Sequence, residues 1–246
     1  MVKVAVFGAR GTMGAEVCRA VEGAADLELV AAVGAGDDRS PAEAAEVVVD
    51  FTRPDAVMDN LSWCVEHGLH AVVGTTGFDD ARLGRLQELL ARRREVGILV
   101  AANFSVGAVL MMRFAEQAAV FYESVEIVEL HHPGKADAPS GTATTTARRV
   151  AAARAAADVP APPDATVHEL PGARGADVDG IRVHGVRLRG LVAHQEVLLG
   201  SDGETLTLRH DSSDRISFMP GVLAAVRAIS GRPGLTVGIE SVLGLT

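Results

Sequence analysis

Residues 129–143 read ELHHPGKADAPSGTA, with two adjacent histidines, a lysine and a Ser-Gly-Thr inside fifteen positions. An imidazole gives or takes a proton near neutral pH. A lysine pins a carboxylate or acts as an acid itself. Gly141 and Thr142 open a helical pattern, and the first N–H groups of a helix attract an anion. The set suits an anionic carbonyl- or imine-like compound with two carboxylates. Its candidate residues are His131 and Lys135 for proton transfer, with His132, Lys135, Ser140, Gly141 and Thr142 for binding. Adjacent side chains on extended backbone point to opposite faces, so both histidines serve one pocket only if the chain turns at Pro133-Gly134. Ser140 is equally suited to cap the helix. A metal centre is the rival chemistry. The histidine pair lacks a third ligand at the usual spacing and no H-E-x-x-H occurs, so no metal is expected.

A second constellation stands near the start. GARGTMG (8–14) is a G-x-x-G-x-x-G loop placed after an apolar run and before a helical pattern. Gly8 suits the tight turn, Gly11 the close approach of a pyrophosphate, and Gly14 the packing of helix on sheet. Arg10 can reach a phosphate, including a 2′-phosphate. Related domains carry an acid after the second strand to hold the ribose hydroxyls. Here that position is Val33-Gly34, and Asp37 and Asp38 follow at a distance that looks too great. The choice between NADH and NADPH stays open. GTTGF (74–78) and AANFSVG (101–107) follow later apolar runs. They are either the loops flanking a nicotinamide and its ribose or ordinary strand-to-helix turns.

These loops need elements to hold them. VKVAVF (2–7), LELVAAV (27–33), EVVVDF (46–51), HAVVG (70–74) and GILVAA (97–102) are short apolar runs separated by helical patterns, one opened by Pro54 and one spanning 79–94. Strands apolar on both faces and alternating with helices make a parallel sheet whose ligands lie at the strands' carboxyl ends. After residue 105 the rhythm changes. A helix at 106–122, a strand at 125–130 and a helix at 141–157 precede strand-like runs at 181–188, 191–200 and 204–212, which form an antiparallel or mixed sheet. A helix at 217–230 and a possible strand or tail at 234–245 close the chain. The expected fold is α/β, with a Rossmann-like parallel domain and an α+β domain carrying a mixed open sheet.

The 246 residues suit one large or two modest domains. A formal charge of -9 argues against phosphate-backbone binding, and one Trp and one Tyr leave little surface for stacking on bases. Cys18 and Cys64 form no CxxC and are expected to be reduced packing residues. The apolar run at the start ends in glycines without a signal-peptide pattern, and no 18-residue apolar run occurs. A soluble, cytoplasmic protein without nucleic-acid or membrane partners is expected.

Together VFGARGTMG, DFTRPD, VVGTTGF, AANFSVGAVL, ELHHPGKADAPSGTA, LPGARGADVDGIRVHGVRLRGLVAHQEVLLG and LTLRHDSSDRISFMPGV resemble the dihydrodipicolinate reductase family over nearly the whole chain. The resemblance implies reduction of 4-hydroxy-tetrahydrodipicolinate with NADH or NADPH and loss of water, in lysine and diaminopimelate synthesis. It implies a homotetramer, with a dinucleotide domain of 1–106 completed by 217–246 and a substrate-binding and tetramerisation domain of 107–216. It casts His131 as proton donor or acceptor assisted by Lys135, with His132, Gly141 and Thr142 on the carboxylates. Gly8, Arg10, Gly11, Thr12, Met13, Gly14, Gly74, Thr75, Thr76, Ala101, Asn103 and Phe104 would line the cofactor. Gly34 departs from the acid, and Arg10 and Thr12 from the lysines, found in relatives; cofactor choice is thereby affected but not hydride transfer. Two other readings are another two-domain nicotinamide dehydrogenase and a dinucleotide sensor without catalysis. GKADAPSGTA argues against the first, and intact His131, Lys135 and Thr142 against the second.

Overall fold

The computed structural model describes residues 1–245. The chain begins with β1 (Val2–Phe7), α1 (Thr12–Glu22), β2 (Leu27–Val33), β3 (Val47–Asp50), α2 (Val57–Glu66), β4 (His70–Val73), α3 (Asp80–Leu90) and β5 (Gly97–Val100). Then come α4 (Val106–Ala118), β6 (Ser124–His131), α5 (Gly141–Ala156), β7 (Ala176–Val178), β8 (Ile181–Arg187), β9 (Ala193–Ser201) and β10 (Glu204–Ser212). It closes with α6 (Met219–Ile229) and β11 (Gly234–Val237). Two compact units result: Met1–Val106 with the segment from Arg215 onward, and Gly107–Asp214.

The first unit is a parallel sheet in the order β11-β5-β4-β3-β1-β2. Val47–Val49, Ala71–Val73 and Ile98–Leu99 are buried, which is why these strands read as unbroken apolar runs. Leu61, Val65, Leu86 and Leu90 of α2 and α3 pack on Ala71, Val73, Ile98 and Val100. α6 packs on α1 and on β3, β4 and β5. The chain passes from β1 to β2 and then back to β3 on the other side of β1. That reversal marks the crevice where such sheets take ligands.

α2 starts at Val57 rather than at Pro54, because the amides of Ala56 and Val57 first turn back onto the Arg53 carbonyl. A short 3-10 turn at Ser40–Ala44 and strand β7 add to the elements expected from the sequence. The terminal stretch forms a strand only to Val237, and Gly238 then turns at φ 82. Cys18 and Cys64 are both free thiols. Burial pushes the Cys64 thiol up. No described helix is long and apolar enough to cross a membrane.

The second unit is a mixed sheet, β10-β9-β6-β8-β7, in which β6 and β8 run parallel and the other pairs antiparallel. Val125, Ile127 and Glu129 of β6 are buried on the same side as Ile181, Val183, Val197 and Leu199, and α5 packs on β6 and β8. The alternate positions Val128, Leu130, Val186 and Leu198 lie on the opposite, more open face. Arg154 ties the far end of α5 down by donating to the carbonyls of Ala119, Tyr122, Glu123 and Pro160.

Candidate functional site

In the second unit the site is organised by a side chain that the sequence motif does not advertise. Glu129, the third-last residue of β6, is fully buried. Its carboxylate lies 2.5 Å from His131 Nδ1 and accepts from Arg187 Nη1 and Nη2 at 2.9 and 2.8 Å. The Ser140 amide donates to it at 3.3 Å. A buried carboxylate is tolerated when paired and hydrogen-bonded in this way. Strand alternation puts His131 on the face of Glu129, so the imidazole is held by its Nδ1 and its Nε2 is left for chemistry.

The charge state of His131 follows from its surroundings. Burial holds its pKa below the ordinary imidazole value; Glu129 opposes this, while Lys135 and Arg187 reinforce it. The free site therefore holds a neutral imidazole at pH 7 that donates from Nδ1 to Glu129. His132 is exposed just past the strand, where the Lys135 amide donates to its carbonyl at 3.2 Å and makes the turn that Pro133-Gly134 permits. Lys135 Nζ is 2.7 Å from Asp137 Oδ1. The lysine is the leading cause holding the Asp137 carboxyl below its usual range.

Ser140, expected among the substrate ligands, also holds the start of α5. It is buried, and its hydroxyl accepts from the Ala143 amide at 3.2 Å, which makes it the cap of α5. Gly141 begins the helix in the open: a Cβ there would meet nothing within 4 Å. Thr142 follows in the first turn, half-buried.

In the first unit the carboxyl ends of β1, β2 and β3 surround a cavity of about 790 Å³, lined by Gly8, Arg10, Gly11, Gly34, Asp37 and Thr52 among others. The glycines fit a dinucleotide for reasons visible in the backbone. Gly8 has φ +79, and a Cβ there would lie 2.5 Å from the Phe51 carbonyl oxygen. A Cβ on Gly14 would lie 2.1 Å from the Gly8 carbonyl oxygen. Gly11 precedes α1 without a capping side chain, so the amides of Thr12, Met13 and Gly14 begin the helix uncapped and suit a pyrophosphate.

The remaining expected cofactor residues are mostly supports. Gly74 leaves room for the Phe51 ring, which a Cβ would meet at 2.1 Å. The Thr75 hydroxyl donates to Asp50 Oδ1 at 2.7 Å, and the buried Asp50 also accepts from Thr52 and Asn60. Thr76 is exposed. Ala101 is buried, Asn103 Oδ1 accepts from the Ser105 amide at 2.8 Å, and the Phe104 ring lies 5.9 Å from that of Phe51. Asp37, set aside on sequence distance, lines the cavity: it bonds Arg10 and the Gly34 amide. Its signal was the Gly-Ala-Gly before it, which lets the chain fold back.

A parallel sheet with a glycine turn between β1 and α1, followed in the same chain by a mixed sheet bearing a histidine-lysine turn, defines a dinucleotide-dependent oxidoreductase. The chain belongs to the dihydrodipicolinate reductase family, whose N-terminal model matches residues 2–104 and whose C-terminal model matches residues 107–243. It is 67% identical to the 4-hydroxy-tetrahydrodipicolinate reductase of Cutibacterium acnes over 245 residues, covering 100% of both chains. It is 63% identical to that of Nocardia farcinica over 246 residues, covering 99% of each. Among solved structures it is similar to dipicolinate-bound dihydrodipicolinate reductase from Paenisporosarcina sp. TG-14, with 38% identity and a TM-score of 0.82 over 98% of this chain and 99% of that one.

Proposed function

We propose that the chain reduces 4-hydroxy-tetrahydrodipicolinate to tetrahydrodipicolinate with NADH or NADPH and release of water, in lysine and diaminopimelate synthesis. The observation that carries the site assignment is the buried Glu129 holding His131 beside Lys135 and the open start of α5. Loss of the ring hydroxyl as water gives a conjugated imine. When bound, the reduced nicotinamide supplies a hydride to the ring carbon. His131 gives the balancing proton from Nε2, so each turnover consumes one hydride and one proton and releases one water. The imidazole must first be charged. A substrate with two carboxylates opposes the effect of burial and draws a proton onto it. Lys135 leaves Asp137 for one substrate carboxylate, helped by His132, and the amides of Gly141 and Thr142 take the other.

On the dinucleotide side, Gly8, Gly11, Gly14 and the start of α1 hold the pyrophosphate. Gly74, Thr75, Thr76, Ala101, Asn103 and Phe104 shape the edge where the nicotinamide lies. We infer also a cytoplasmic homotetramer built on the second sheet. Val186 and Leu198, 36% and 37% exposed, share its open face with Val128 and Leu130, an apolar stripe suited to self-association.

The test is to mix the purified protein with the cyclic product of the preceding synthase and follow nicotinamide absorbance, with NADH and NADPH in parallel. Oxidation of the nicotinamide with release of tetrahydrodipicolinate is expected. No oxidation of either cofactor would overturn the reading. Light scattering of the same sample should give a mass near four chains.

A further inference from the structure

We propose that Arg187 is a positioning residue of the reaction: it couples the proton donor His131 to the turn that carries Lys135 by holding the Glu129 carboxylate and the Asp137 carbonyl with one guanidinium. The inference rests on the reductase reading above and deepens it. In the parallel pairing of β6 with β8, Arg187 stands opposite His131 and Gly185 opposite Glu129. Residues paired across a sheet share a face, so Glu129, His131 and Arg187 rise on one side. The guanidinium leans back from its own position to meet Glu129, and Gly185 leaves it the space. A Cβ there would lie 3.0 Å from Glu129 Oε1 and 3.7 Å from Arg187 Nη1. The Leu188 amide donates to the His131 carbonyl at 3.0 Å and keeps the two strand ends in step.

The donors of Arg187 define what it does. Nη1 donates to Glu129 Oε2 and to the Val186 carbonyl, both at 2.9 Å. Nη2 donates to Glu129 Oε1 at 2.8 Å and to the Asp137 carbonyl at 2.6 Å. The four N–H groups of the terminal nitrogens are therefore all engaged, and Nε is buried. None is left for a substrate carboxylate. The bond to the Asp137 carbonyl instead fixes the backbone of the turn whose Lys135 ammonium rests on the Asp137 side chain. One planar group thus sets the imidazole through Glu129 and the ammonium through residue 137. A lysine, as a point charge, cannot hold both.

The guanidinium also bears on the charge of the imidazole. Burial is the main cause that lowers the His131 pKa; Glu129 opposes it, and Lys135 and Arg187 add to it. The charged groups around the ring are Glu129 on its own strand, Lys135 and Asp137 on the turn and Arg187 on β8. On β9 its register partner is Ala193, and His194 pairs with Leu130 on the other face. Ser140, the cap of α5, is uncharged. Without Arg187 the buried Glu129 keeps only His131 as a cationic partner, so a proton is drawn onto the ring.

The experiment compares Arg187→Lys and Arg187→Met with the wild-type chain by steady-state kinetics, cofactor titration and NMR titration of the His131 imidazole. Arg187→Lys keeps the charge but not the fork. It should lower kcat about tenfold or more and raise the substrate KM, with NADH and NADPH affinities within about twofold of wild type and the imidazole midpoint in place. Arg187→Met removes the charge as well and should add an upward move of that midpoint. If the methionine variant does not fold, the lysine variant decides alone. A wild-type kcat in folded Arg187→Lys would overturn the assignment, and a raised KM beside it would make the guanidinium a substrate ligand instead. An unmoved or lowered imidazole midpoint in folded Arg187→Met would overturn it too. Failure of the reductase reading looks different: the wild-type protein would leave the synthase product unreduced, while the imidazole titration, which needs no substrate, would still separate the two variants.

Discussion

The turn at 8–14 and the turn at 131–142 each lead from a strand into a helix, yet they are built on opposite plans. At the first, side chains have been removed. Gly14 cannot carry a Cβ without striking the backbone of Gly8 and Ala9, and no side chain caps α1. At the second, side chains do the organising: Ser140 caps α5 and Glu129 gathers His131, Arg187 and the Ser140 amide. The glycines differ accordingly. The fold itself demands Gly14, whereas nothing within 4 Å in the protein demands Gly141. A backbone cradle suits a pyrophosphate, whose binding needs amides. A cluster of side chains suits a reaction that must move a proton.

Substitutions can sharpen this contrast or break it. The largest effect belongs to His131→Ala, which should lower kcat/KM by about 10²–10⁴ with NADH and NADPH affinities unchanged; Lys135→Ala should act in the same direction. Steady-state kinetics beside cofactor titration checks both, and a parallel loss of cofactor affinity would erase the division of labour. Glu129→Ala leaves the Arg187 guanidinium without its carboxylate and should cost about 3–5 kcal/mol in urea unfolding. In Glu129→Gln, loss of a group that raises the His131 pKa should move the imidazole's NMR titration further down.

Gly14→Ala comes next, at about 1–3 kcal/mol of destabilisation with weakened cofactor binding, because its Cβ meets backbone rather than a movable side chain. Gly141→Ala should be neutral or stabilising by up to about 1 kcal/mol in the same unfolding assay. It should still raise the KM for the substrate. The smallest effect is on pH. Burial lowers the pKa values of His70, His131 and His210 below 6.5. Their folded forms bind fewer protons than the unfolded chain, so their contribution is complete above that value and is lost as pH falls through the folded values. Melting temperatures measured between pH 7 and 5 should decline, and less steeply in His131→Ala.

The parallel sheet was legible because strands buried on both faces are written as short apolar runs such as VVVD and GILV, and these recur in alternation with longer helical patterns. Strand β7, three residues reading ADV, carries too little pattern to announce itself. The histidine, the lysine and the helix start were legible because they are neighbours in the chain. Their organiser was not. Glu126 and Glu129 are the same residue type on one strand, and alternation alone does not say which faces inward. The decision comes from Arg187, 58 positions away, and from α5. Ser140 reads as ligand or cap, and the cap is visible only in its contact with the Ala143 amide. Asp37 lies nearer the end of β2 than its place in the sequence suggests, because the Gly-rich turn before it folds the chain back.

The parallel sheet is assembled from two stretches of chain, with β11 lying against β5 and α6 across β3, β4 and β5, while the whole mixed-sheet unit comes between them in sequence. During synthesis the first five strands leave the ribosome with one edge and part of one face still bare. They must wait for more than a hundred further residues before the missing pieces arrive. The inserted unit, whose own strands are contiguous, is free to fold during that interval, so the dinucleotide half is the last to close although it is the first to be made.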